Sequence, residues 1–290
     1  MRRWIPVWLA LLALAVPASV AAHDALLRQL PHDGDFTAMF TAAVAHARVQ
    51  DGLLIGDGRE ETQRLPDGRL RLLRFKTYRY ARRPDTDKLV PLSPPWRIRS
   101  EVELDSRLRL VRDHTQLDLH PVPDEAIARH FAPLFALTES LTQANAAGTQ
   151  LTRVTHNNGR VVERQRYPYP RDAVPIEIVG AVVAFAVAQG IDRFEFDVLL
   201  PGGATHGVEA DVHHVHSVAA FVEDYAVPVA QVDRQGPLAV VDLRLSSPFK
   251  YLFYPHHVYM AYDARDPSRL IALWGGDPDE NLQAFRVAPK

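Results

Sequence analysis

YPYPRDAVPIEIVGAVVAFAVAQGIDRFEFDVLLPGG, residues 167–203, holds the signals around which the rest of the chain is ordered. Pro168, Pro170 and Pro175 stiffen the approach, because each fixes φ and lacks an N–H. From Ile176 to Gln189 the only charge is Glu177, and Gly190 stands where a helix C′ residue belongs. A helix that is apolar all round is a buried helix. Phe194, Phe196, Val198 and Leu200 then alternate with Arg193, Glu195, Asp197 and Leu199, the period of a half-buried strand, and Pro201-Gly202-Gly203 forces a turn. The predicted fold is α+β: a large, curved, mainly antiparallel sheet of half-barrel type, wrapped on a buried central helix with further helices beside it. That helix joins an N-terminal half, 23–166, to a C-terminal half, 167–290, of a single domain.

The chain of 290 residues begins with the order of a secretory signal peptide. Arg2 and Arg3 precede an apolar core over Val7–Val16 and the small residues Ala18-Ser19-Val20-Ala21-Ala22. Cleavage is expected near Ala22, giving a periplasmic or secreted product. Pro6, Pro17 and the small-residue end argue against an uncleaved anchor. The sequence has no cysteine, which excludes a lipid-anchored lipoprotein and a disulfide scaffold and leaves the fold to its hydrophobic core. No later segment approaches spanning length without charge.

Removing Arg2 and Arg3 from the 33 basic residues leaves 31 against 35 acidic ones. Bulk charge therefore gives no reason to expect a nucleic-acid partner. Lysine occurs only at Lys76, Lys88, Lys250 and Lys290.

Outside the central stretch, Ala25–Leu30 and a segment from Asp35 to about Arg48 carry helical spacing. Pro66-Asp67-Gly68 is a turn between strands, with a bulge expected at Leu72-Leu73 and a proline-rich loop over Lys88–Pro95. Trp96, Ile98, Val102 and Leu104 alternate with Arg97, Arg99, Glu101 and Glu103. A three-residue turn at 105–107 would set Glu103 opposite Arg109 and Arg99 opposite Asp113. Asp124 opens a predicted helix through about Ala147, kinked at Pro133. Asn157-Asn158-Gly159 between strand-like runs is a strong hairpin signal. Strands are further expected over 207–217, 227–232, 238–245, 257–263 and 269–274, the last two as a hairpin turning at Asp266-Pro267-Ser268.

Chemistry is sparse. His206, His213, His214 and His216 cluster in HGVEADVHHVHSV, and on a strand His214 and His216 share a face. Such a pair can ligate zinc if His114, His256 or His257 completes the site; otherwise it marks a polar strand near a sheet edge. Asp277, Asp279 and Glu280 do not fill a calcium-loop pattern. Neither a Gly-x-Ser-x-Gly elbow nor a His-Glu-x-x-His occurs, and no glycine-rich phosphate cradle is in place.

The order PYP, buried helix, Gly, FEFDVLLPGG, followed by PFKYLFYPHHVYMAYDARDPSRLIALWGG, resembles an uncharacterised group of exported proteobacterial proteins over residues 167–287. At the level of architecture, strands wrapped on helices look like the periplasmic lipoprotein-carrier (LolA/LolB) half-barrels. The resemblance implies no catalytic residues.

Three functions are therefore open. The first is a non-enzymatic binding protein, holding a lipid or other apolar ligand against Phe75, Trp96, Ile98, Phe194, Phe196 and Tyr259, with no cofactor. Those aromatics are equally ordinary core. The second is a metal-binding module or metal-dependent hydrolase built on His213, His214 and His216, and the third an envelope-assembly partner with an exposed sheet edge.

Overall fold

The computed structural model describes residues 44–51, 53–86, 88–105, 109–200, 203–222, 225, 227–247, 257–275 and 282–286. The leader, Ala25–Leu30, Asp35 and the carboxylates of 277–280 lie outside them. Strands β1 (Val44–Asp51), β2 (Leu54–Arg64), β3 (Leu70–Arg82), β4 (Leu89–Leu104), β5 (Leu110–Asp118), β6 (Glu139–Ala144), β7 (Gln150–Asn157) and β8 (Arg160–Pro168) follow one another as antiparallel neighbours, with helix α1 (Glu125–Phe135) between β5 and β6. The two-residue strand β9 (Val174–Pro175) leads through a 3-10 turn over 176–178 into α2 (Val179–Ala188). Strands β10 (Arg193–Leu199) and β11 (Thr205–Val215) precede helix α3 (Val229–Asp233), and β12 (Leu238–Leu245), β13 (Val258–Asp263), β14 (Asp266–Gly275) and β15 (Leu282–Arg286) complete the order. Pairing of β1 with β15 joins both halves into one sheet, ordered β8 to β1 and then β15 down to β9. Among the described residues only β9 and β10 run parallel.

The fold is α+β, a large curved antiparallel sheet wrapped on a buried helix. Seven of the ten residues of α2 are buried. They pack in one core with Leu70, Leu72, Val102, Leu104 and Leu151 from the N-terminal half and Phe196, Ala210, Val241 and Tyr262 from the C-terminal half. Strands from both halves can touch one helix only if the sheet curls around it. Each fully buried valine or phenylalanine contributes about 1.5–3 kcal/mol. Gly190 (φ 69°) closes the helix, with its N–H donating to Val187 O and that of Ile191 to Ala186 O, both at 3.0 Å. This is a Schellman cap, which satisfies carbonyls the helix leaves open. The two sheet ends, β8 and β9, are consecutive in sequence, and Tyr167 of β8 lies so close to Gly203 that a Cβ there would fall 2.5 Å from the Tyr167 Cβ.

Helix α1 covers the other end of the N-terminal half. The Asp124 carboxylate accepts from the N–H groups of Ala126 and Ile127, both at 3.1 Å, and Ile127 and Phe131 pack with Tyr78, Leu92 and Trp96. On the outer face of the C-terminal half, Leu238, Val240 and Trp274 are covered by α3 and a turn over 219–221. Among the described residues no helix is long and apolar enough to cross a membrane.

Several expectations are corrected. Residues 44–48 are strand, because pairing on both sides, with β2 and β15, outweighs weak helical spacing. The helix from Asp124 stops at Phe135, and Glu139–Ala144 is a strand whose Ser140 and Thr142 share one face. Strand β4 runs through the prolines from Leu89. Its residues 92–95 bulge opposite Arg79 alone, which frees the nitrogens of Pro94 and Pro95 from pairing. The bulge expected at Leu72-Leu73 is therefore displaced to Tyr78–Tyr80. Leu104 pairs Leu110, and one extra residue at Val111 sets Glu103 opposite Arg112, Val102 opposite Asp113 and Arg99 opposite Gln116. Residues 229–233 form α3 behind Pro228, and the last hairpin turns at 264–265. The Asn-Gly hairpin stands as expected, with Asn158 (φ 48°) and Gly159 (φ 79°) both left-handed.

Candidate functional site: a polar belt inside the N-terminal half

Strand parity places the same kind of residue at the same height on neighbouring strands. The inward line of β3 reads Leu72, Arg74, Lys76, Tyr78; that of β4 reads Val102, Ser100, Ile98, Trp96. Beyond the Val111 bulge, β5 presents Asp113 and Thr115, β6 presents Thr142 and Ser140, and β7 presents Leu151, Arg153 and Thr155. Each line starts in the core around α2, and those of β3 and β4 end in the core around α1. Between them lies a polar belt.

The belt is tied together and charged. Arg74 Nε donates to Glu60 Oε2 of β2 at 2.5 Å, and its Nη2 donates to the Glu177 carbonyl just ahead of α2. Arg153 Nε donates to Ser140 Oγ at 3.1 Å. The Ser100 and Thr115 hydroxyls share a hydrogen bond of 2.8 Å, and Thr115 Oγ1 lies 3.3 Å from Asp113 Oδ1. Burial pushes the Asp113 carboxyl above the ordinary aspartate value; the Thr115 hydrogen bond and the charges of Arg74 and Arg153 oppose this without cancelling it. Burial likewise raises Glu177, helped by the negative charge of Asp113. These groups are enclosed, yet the side chains of Arg74 and Glu60 keep 28% and 45% of their surface open. That pair, on the inner face of the curled sheet, is within reach of molecules in solution.

The six residues expected to hold an apolar ligand do not come together. Phe194 and Phe196 lie in the α2 core, and Trp96 and Ile98 in the α1 core. Phe75 points to the outer face, where the Arg99 guanidinium lies 5.7 Å from its ring centre. Tyr259 is also outward, stacked on Trp274 at 5.5 Å. Of the histidines, His213 packs on Phe221, His214 lies 3.8 Å from Asp192, and His216 follows the end of β11. His257 binds Asp242 at 2.6 Å, and His114 binds Glu139. Among the described residues no three ligand-type side chains are placed to hold a metal.

The belt leaves a signal in the sequence that is legible only once the strands are in register. Leu72 and Tyr78, Val102 and Trp96, and Leu151 followed by Arg153 and Thr155 are apolar lines broken by polar residues at one height. Glu177 was already conspicuous as the lone charge in residues 176–189.

Comparison with solved structures finds likenesses to three chains. A beta-barrel-like protein of the domain of unknown function DUF1849 from Brucella abortus, known from its crystal structure, is similar at 9% identity and a TM-score of 0.48. The likeness covers 85% of this chain and 97% of that one. No family model and no curated protein matches the chain.

Proposed function

We propose that this is a non-enzymatic binding protein of the cell envelope or exterior that takes one amphipathic small molecule, an acyl lipid or a molecule of similar build, in the concavity of the N-terminal half. The observation that carries this reading is the polar belt set between two apolar cores on a wall open to solvent. Apolar pockets with a few convergent polar groups are the usual form of a small-molecule site. Polar side chains inside a sheet are costly unless hydrogen-bonded, and here they take the place of further core. The leader pattern of residues 1–22 supplies the compartment.

The test is titration of the purified chain with a polarity-sensitive naphthylamine dye, beside a Thr115→Trp variant that fills the concavity. Saturable dye binding that the variant abolishes is the expected result. Equal binding by both proteins, or none by the unmodified chain, would count against the proposal.

A further inference from the structure

Strand β8 carries an exposed surface that the binding role does not use, and we infer that it docks the protein on an anionic lipid bilayer. The strand ends the sheet: one of its edges pairs with β7, and the other pairs with no strand among the described residues. It opens Arg160-Val161-Val162-Glu163-Arg164, with Arg166 two residues on. Glu163 pairs Thr155 and Val161 pairs His156, so Val162 is one extra residue, a bulge that breaks the alternation of faces. Val161 and Val162 are 53% and 52% exposed, the two most open large apolar side chains among the described residues. Around them Arg160, Arg164 and Arg166 are exposed, and their guanidinium groups have no partner among the described residues. The acid between them, Glu163, accepts from Gln165 Nε2 at 2.8 Å. On the neighbouring strands the outward acid Glu139 is bound to His114. Three arginines against one glutamate leave residues 160–166 with a net charge of +2.

Apolar side chains set among unpaired cations suit the boundary of a bilayer. The valines leave water for the acyl chains, while the guanidinium groups stay with the lipid phosphates. Arginine fits that task because its fork can hold two phosphate oxygens at once. A second copy of the chain fits less well. Two-fold antiparallel pairing centred on Val162 would set Arg160 opposite Arg164 of the copy. Centring it on Glu163 or Arg164 would set that residue against itself, and like charges directly opposite are destabilising. The bulge and the arginines also blunt this edge as a template for any further strand.

The test is sedimentation of the chain, purified from its own source, with vesicles of phosphatidylglycerol and phosphatidylethanolamine in equal parts, beside vesicles of phosphatidylcholine alone. A basic residue near an anionic surface strengthens attachment about fivefold, so the anionic vesicles should be bound at least about tenfold tighter. High salt should remove that excess. Arg160→Ser/Arg164→Ser/Arg166→Ser should lose it as well, and Val161→Ser/Val162→Ser should weaken attachment to the anionic vesicles on the order of tenfold. All five side chains are exposed, so both variants should fold, and an unchanged melting curve by circular dichroism is the check. Equal attachment to both kinds of vesicle, attachment to neither, or an excess that survives the arginine variant would overturn the inference and leave the binding role standing. Unaltered affinity in the valine variant would overturn the part given to the valines. Dimerisation of the unmodified chain that the valine variant abolishes would overturn the inference too, by giving those side chains a second copy as their cover.

Discussion

Trp96 is the residue through which α1 is held to the sheet, and its removal should be costly. The side chain is fully buried. Its ring meets Phe131 and Phe135 edge-on, with centroids 5.2 and 5.3 Å away and interplanar angles of 83°. Its Nε1 donates to the His120 carbonyl at 2.9 Å, which pins the connection from β5 into α1. Trp96→Ala removes the indole and leaves a cavity, about 3–5 kcal/mol for a large aromatic. Loss of the edge-to-face pairs, about 0.5–1.5 kcal/mol each beyond area, weights the figure towards the upper end. At a urea dependence near 3 kcal/mol/M, the unfolding midpoint should fall by about 1–2 M. Trp96→Phe keeps a ring but strands the carbonyl, and should cost about 1–3 kcal/mol. Urea unfolding followed by far-ultraviolet circular dichroism measures both, and hydrogen exchange over Glu125–Phe135 shows whether α1 is released. A loss below about 1 kcal/mol for Trp96→Ala would refute the claim that this indole anchors α1, since full burial sets a larger minimum.

Other substitutions test other joints. At Gly56 a Cβ would stand 1.9 Å from the Thr77 carbonyl oxygen and 2.7 Å from Tyr78 Cα, both backbone; Gly56→Ala should force β2 from β3 and markedly lower the melting temperature, and an unchanged value would show that the strands lie further apart. Asp124→Ala deletes the cap of α1 and should cost about 1 kcal/mol by chemical denaturation, with Asp124→Asn recovering most of it. Burial raises Asp113 and Glu177, so the folded chain holds protons there that the unfolded chain has already released. Stability should therefore fall as pH rises from the ordinary carboxylate range through the folded values. Asp113→Asn and Glu177→Gln should each flatten that slope and raise stability at neutral pH, and a melting curve in which either variant steepens it would contradict the assignment.

How much of this was legible depended on how local the signal was. Val179–Ala188 announced itself because a wholly apolar run ended by Gly190 needs only its own residues to be recognised, and Asp124 and Asn158-Gly159 acted through neighbours two or three positions away. Val44–Asp51 and Glu139–Ala144 become strands because of partners distant in sequence, β15 for the first and, across α1, β5 for the second. The Val111 bulge is a similar case. One extra residue moved Asp113 from an expected partner of Arg99 on the charged outer face to the position opposite Val102 on the inner one. The candidate site escaped for the same reason: Arg74, Asp113 and Arg153 come from three strands, and Glu177 from the segment crossing beneath them. Large aromatics are a poor guide to a ligand surface here, because they fill the two inner cores and the outer face, whereas the open wall is built from charged and hydroxyl side chains.

The most direct measurement of the central claim is native mass spectrometry of the chain purified from its own source, followed by organic extraction, with the Thr115→Trp variant treated in parallel. The account predicts a discrete added mass that extracts as an amphipathic molecule and is absent from the variant. A bare mass for both proteins, or an added mass that survives filling of the concavity, would contradict it.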